Sequence, residues 1–244
     1  MRSRSLLALP LLAVAGMASA DPFDCGHTAQ RRVASPVAGV TRVVIVARAG
    51  SLRVRGESGA AEISAKGTAC ASDRDDLDRI QLRSERQGSD LKIEAVIPEA
   101  SSSFFFGFGH QAKLDLEVSL PKGMAVSVTD GSGSARISDV GPLTVTDGSG
   151  QLEIRGVNGN ARVKDGSGSI DLSDVTGDVE IVDGSGSMDV RDVGGSVVVT
   201  DGSGSIEVSD IRGGFHVRDD GSGGIDYERV SGEVRVPRDR RHRD

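Results

Sequence analysis

The chain has no tryptophan and a single tyrosine, Tyr227, among its 244 residues. Sugar clefts lean on aromatic platforms for stacking, and that ingredient is missing. The four histidines, His27, His110, His216 and His242, are scattered, with no repeated partner and no metal-ligand spacing. Only two cysteines are present, Cys25 and Cys70, and neither belongs to a metal motif. Phosphate-cradling and dinucleotide-binding fingerprints are absent. Past residue 20 no apolar run is long enough to cross a bilayer as a helix. These gaps point away from a cofactor enzyme and leave the expected cofactor set at none.

What the chain has instead is repetition. Asp-Gly-Ser-Gly occurs six times, starting at Asp130, Asp147, Asp165, Asp183, Asp201 and Asp220, at spacings of 17, 18, 18, 18 and 19 residues. A turn returning at so fixed an interval marks one supersecondary unit stacked on itself. In the copy SIDLSDVTGDVEIVDGSG, Ile170 and Leu172 alternate with Asp171 and Ser173, and Val179 and Ile181 alternate again before Asp183. Two period-2 runs, each with one apolar face, read as β-strands. No run of helical period separates them, which excludes alternating β and α units. A coiled parallel path sets each residue above its copy; alternating hairpins would not.

The fold class that follows is all-β: a single parallel β-solenoid (β-helix) with coils of about 18 residues and a less regular N-terminal half. Each coil supplies about five small aliphatics, and successive coils rise by roughly 4.8 Å. The glycines permit positive φ at the corner, and Asp and Ser side chains accept hydrogen bonds from backbone N–H groups there. Asp130, Asp147, Asp165, Asp183, Asp201 and Asp220 therefore form one ladder, and Ser132, Ser149, Ser167, Ser185, Ser203 and Ser222 a second, along one edge. Both read as corner chemistry. The hydrolase elbow needs glycine two residues before serine, where this chain has Asp in every copy.

Residues 1–20 read as a signal peptide: Arg2 and Arg4, an apolar stretch from Leu6 to Met17, and Ala18-Ser19-Ala20 as the cleavage site. The expected location is periplasmic or secreted. Export favours one bridge between Cys25 and Cys70; free thiols or an intermolecular link are the alternatives. An extended lead-in over residues 21–39 precedes a solenoid domain over 40–236, with irregular coils at 40–120 and regular repeats at 121–236. A disordered basic tail occupies 237–244. Ile45 and Ile63, like Ala47 and Ala65, are 18 residues apart, which suggests that the coil period begins early. Residues 71–90 and 98–112 read as longer loops.

Charge is uneven. Residues 121–234 hold 9 basic and 20 acidic side chains, against 13 and 14 in residues 21–120. An acidic column argues against a nucleic acid partner. It also gives a self-repelling surface. The most unusual segment is SSSFFFGFGHQA, in which Phe104, Phe105, Phe106 and Phe108 are four of the chain's six phenylalanines. Either they cap an open end or side of the core, or they form an interaction loop. A calcium-stabilised binding protein using the Asp ladder is an alternative function, although the spacing differs from that of calcium-binding β-rolls. A polysaccharide-acting enzyme is more distant, because tight corners leave nowhere to enclose a substrate.

At VTDGSGSIEVSDIRGGFHVRDDGSGGIDYERVSGEVRV, Val199 to Val236, the chain resembles a bacterial adhesin-like family of β-strand repeats related to toast-rack solenoids. The resemblance covers roughly residues 38–236. It implies an exported, non-enzymatic envelope protein and carries over no catalytic or binding residue. The combined expectation is a scaffold or protein-interaction module whose partner is an envelope protein or surface component.

Overall fold

A computed structural model describes residues 25–98 and 112–237. The N-terminal part contains β1 (His27–Pro36), β2 (Arg42–Val46), β3 (Leu52–Glu57), β4 (Glu62–Ala71), α1 (Arg74–Arg79), β5 (Gln81–Gln87), β6 (Asp90–Val96) and β7 (Ala112–Pro121). The regular part then alternates short and long strands. The short ones are β8 (Ala125–Thr129), β10 (Leu143–Asp147), β12 (Ala161–Asp165), β14 (Val179–Asp183), β16 (Val197–Asp201), β18 (Phe215–Asp220) and β20 (Val234–Arg235). The long ones are β9 (Gly133–Val140), β11 (Gly150–Val157), β13 (Gly168–Val175), β15 (Gly186–Val193), β17 (Gly204–Ile211) and β19 (Ile225–Val230).

Long strands build one sheet, in the order β1-β4-β7-β3-β9-β11-β13-β15-β17-β19, and short strands a second, β20-β18-β16-β14-β12-β10-β8-β2-β6-β5. Neighbours in the regular part are parallel and in register. Ile154, Leu172, Val190, Val208 and Tyr227 form one vertical row, and Val145, Val163, Ile181, Val199 and Val217 another. The molecule is therefore the β-solenoid that the repeat spacing predicts. Alternation decides the core: in β11, Leu152 and Ile154 face inward and are buried, while Gln151 and Arg155 face out.

The second glycine of each corner is obligatory. Gly168 has φ +145°, and a Cβ there would lie 1.8 Å from the carbonyl oxygen of Gly150 in the preceding coil. The corner closes on backbone atoms alone, with Gly168 N donating to the Ser185 carbonyl at 3.0 Å.

The N-terminal half departs from the sequence reading in three ways. Ile45 and Ile63 do not stack. Ile45 sits between Ile93 and Val128 in the second sheet, whereas Ile63 pairs antiparallel with Ser35 in the first. Their 18-residue spacing is a coincidence, because the chain reverses into β4 instead of winding on. Residues 71–90 are not a long loop but hold α1 and β5. Helix α1 escaped notice because six residues with one buried apolar side chain, Leu77, show no measurable period; Asp73 caps it by accepting from Asp76 N at 2.8 Å. Finally, β4 runs antiparallel to both β1 and β7, and β5 antiparallel to β6, so the irregular half sets reversed strands around one parallel coil, β2 with β3, stacked between β6 and β7 on one side and β8 and β9 on the other. Cys25 and Cys70 form a disulfide that pins the start of β1 to β4. Phe104, Phe105, Phe106 and Phe108 lie outside the described residues, as do residues 1–24, where the signal peptide is expected, and residues 238–244.

Candidate functional site: the buried aspartate column and the charged faces

Parity along the short strands places the corner aspartates. In Leu143-Thr144-Val145-Thr146-Asp147 the first, third and fifth residues face inward, so Asp147 is the third inward residue of its strand. The same holds for Asp165, Asp183 and Asp201, and strand pairing puts each directly above the last. Asp130, Asp147, Asp165, Asp183 and Asp201 are each no more than 5% exposed. Asp220 follows a register shift after Val199 and is half-buried. The ladder thus runs inside the column, not along its outer edge. The signal that would have shown this was the inward parity of Val179, Ile181 and Asp183.

Few partners meet these carboxylates. Gly131 N donates to Asp130 at 2.8 Å and Ser203 N to Asp201 at 3.3 Å. Both carboxylate oxygens of Asp147, Asp165 and Asp183 are buried without a hydrogen bond among the described residues. Burial raises Asp130 to about 6 and, with the neighbouring charges of Asp165 and Asp201, raises Asp183 to about 6. Asp147, Asp165 and Asp201 are raised too, chiefly by burial. Backbone N–H groups of Gly148 and Ser149 pull Asp147 the other way, although their geometry falls short of a hydrogen bond. The charges acting on ladder members are chiefly those of other ladder members, and no basic group among the described residues offsets them.

The serine ladder serves through its backbone: the carbonyls of Ser149, Ser167, Ser185, Ser203 and Ser222 accept from Gly133, Gly150, Gly168, Gly186 and Gly204. Ser132 and Ser222, at the two ends, are exposed. No group of three or more His, Cys, Asp or Glu able to hold a metal ion occurs among the described residues. Ladder neighbours stand one coil apart, roughly 4.8 Å, whereas calcium takes about 6–8 oxygens around one point.

Two further acidic rows escaped the sequence reading. Asp139, Asp174, Asp192 and Asp210 occupy left-handed backbone at φ 56–59°, in line with Gly156 and Arg229. Asp tolerates that conformation better than most residues, so an Asp before Val or Ile at coil spacing (Val140, Val175, Val193, Ile211) was the available clue. Lys122 pairs with Asp139 at 2.8 Å and Arg229 with Asp210 at 2.6 Å, closing the two ends of this row. On the outer face of the long-strand sheet, Glu153, Asp171, Asp189, Glu207 and Asp226 stack in register. Arg136 meets Glu153 at 2.6 Å, and Arg191 bridges Asp171 and Asp189 at 3.0 and 3.1 Å. The short-strand sheet instead shows Thr144, Arg162, Glu180, Val198 and His216 in one outer row. One open groove of about 270 Å³ crosses the outer face of the long-strand sheet near Arg53, Lys66, Glu117 and Arg136.

The profile of the Toastrack DUF4097 family matches residues 43–243. The chain belongs to that family. Similar solved structures include a "putative cell adhesion protein" from Clostridium sporogenes, 10% identical, covering 86% of this chain and 99% of that one at TM-score 0.39. A "putative lipid binding protein" from Parabacteroides distasonis is 12% identical, with coverages of 87% and 98% and TM-score 0.40. A "putative adhesin" from Bacteroides fragilis is 12% identical, with coverages of 85% and 97% and TM-score 0.38. No curated protein matches significantly.

Proposed function

We propose that this Toastrack chain is a non-catalytic scaffold of the cell envelope that offers its flat sheet faces to other envelope components. The observation that carries the reading is the corner geometry. Asp-Gly-Ser-Gly turns backbone on backbone, so the regular coils carry no long loops, and the groove beside Arg53, Lys66, Glu117 and Arg136 stays open. What such a surface can do is bind broadly by charge pattern, with the acidic row Glu153 to Asp226 on one side and the row containing Arg162 and His216 on the other. Location outside the cytoplasm is part of the proposal, supported by the disulfide and by the leader-like residues 1–20.

The aromatic segment with Phe104, Phe105, Phe106 and Phe108 is proposed, on composition, as a second contact element. Crosslinking of the native protein in its own envelope, followed by identification of what is captured, tests the scaffold reading; reproducible capture of one envelope component supports it. Capture of nothing, together with release of sugar products from envelope glycans, would overturn it. Changing the four phenylalanines to serine is expected to lower capture while leaving the melting temperature unchanged. A variant that unfolds would assign them to the core instead.

A further inference from the structure

The two ends of the column differ. At the N-terminal end α1 buries Leu77, Ile80 is buried behind it, and Arg31 of β1 donates to the carbonyls of Ile80 at 2.8 Å and Leu77 at 3.0 Å. At the other end β19 and β20 are last in their sheets. Tyr227 shows what this leaves. Its register places it above Val208, in a row whose members Ile154, Leu172, Val190 and Val208 are all buried, yet Tyr227 is 48% exposed. Phe215 covers part of it, with ring centroids 5.9 Å apart, and Ile225, Val230, Val234 and Val236 around it are only partly buried. Solenoids need their terminal coils covered, and an unpaired strand edge is a template for another strand.

We propose that this end is covered by the N-terminal edge of a second copy, β1 of one molecule adding parallel to β19 of the next. Strand direction allows it. β1 is antiparallel to β4 and β4 to β7, so β1 shares the direction of β7 and hence of β19. A copy translated along the axis therefore presents β1 as each coil presents its strand to the last.

Charge selects this arrangement over its rival. The outward residues of β19 are Asp226 and Glu228; those of β1 include Gln30 and Arg32. Matching faces sets Arg32 against the acidic pair and extends a row in which Arg136 already sits on Glu153. Two C-terminal ends meeting would pair β19 with itself antiparallel. The registers centred on Tyr227 or one residue to either side, which give the longest pairing with Tyr227 inward, set Asp226 against Glu228 or one of the two against its own copy, and like charges directly opposite are destabilising. The favoured contact is heterologous, so it grows as an open filament rather than closing as a dimer.

This inference deepens the scaffold reading but fails separately from it: a monomer that still captures an envelope component keeps that reading and removes this one. The test is sedimentation velocity of the purified protein over a wide concentration range, at low and high salt. The expected result is a mass that climbs without stopping at two copies and falls back when salt is added. Arg32→Glu alone, and Asp226→Lys with Glu228→Lys, should each abolish the climb with the melting temperature retained. All three changes in one chain should restore it. Monomers at every concentration, a dimer that grows no further, or growth indifferent to the charge reversals would each overturn the proposal. So would growth that appears only after residues 238–244 are removed, because the chain's own tail would then be the cover.

Discussion

In each regular coil one carboxyl group faces inward beside two aliphatic side chains; Asp183 shares the inner side of its strand with Val179 and Ile181. Such a group holds its proton more tightly in the folded chain than in the unfolded one. Its contribution is fully present below the unfolded value near 3.8 and is lost as pH rises through the folded value, about 6 for Asp130 and Asp183. Exposed carboxylates beside arginine, such as Asp210 with Arg229, run the opposite way and lose stabilisation only as pH falls below the ordinary carboxylate range. Between about pH 4 and pH 6 the column dominates. The melting temperature is therefore expected to rise on acidification from pH 7.5 to pH 5, and Asp183→Asn should flatten that slope, measured by thermal melts across pH. A slope of the usual sign, with stability lost throughout acidification, would show that the column stays ionised. At the corner, Gly168→Ala is expected to cost about 3 kcal/mol in urea melts, because left-handed strain adds to a backbone clash. The corner glycines were legible in the sequence because only glycine suits that backbone. The burial of the aspartates was equally available from parity, but polar character argued against placing them inside.

Elements made of repeats were readable, and elements made once were not. β10 to β17 recur with the same apolar spacing, so each supports the identification of the others. β1, β4, α1 and β5 occur singly, and only contacts distant in sequence show what they are for. Arg31 reaching the end of α1 across 46 to 49 positions has no local signature. The same explains why Ile45 and Ile63 misled: equal spacing says nothing about whether the chain has reversed in between. Two outcomes belong to this cap. Asp73→Ala removes the side-chain acceptor at the start of α1 and should cost about 1 kcal/mol. Reducing the Cys25–Cys70 bridge frees a separation of 45 residues and should cost about 4 kcal/mol on a chain-entropy basis, read as a shift in the urea midpoint.

Among the described residues the molecule is a one-dimensional stack with a built base and a half-exposed Tyr227 at its top. The backbone of each regular coil pairs only with its two neighbours, while Arg218 reaches Glu180 two coils away at 3.1 Å, so removing one coil loses chiefly one backbone interface. Deleting residues 184–201 joins Asp183 to Gly202 and keeps an intact corner, and the shortened protein is expected to fold with unchanged circular dichroism shape and a lower melting temperature. Hydrogen exchange should be fastest in β19 and β20 and slowest in the central coils, because protection follows the number of stacked neighbours. Uniform exchange along the column would contradict the nearest-neighbour picture.

The base also fixes the order in which the protein can be made. β2 and β3, formed by residues 42–57, lie between β6 and β7 on one side and β8 and β9 on the other. A ribosome releases the early segment well before either flanking layer exists. These two strands must wait, unpaired, until the chain beyond residue 90 has emerged, and the stack can only then lengthen coil by coil. Nascent protein is therefore most open to proteases and chaperones during its first third, and progressively less so with each repeat that follows.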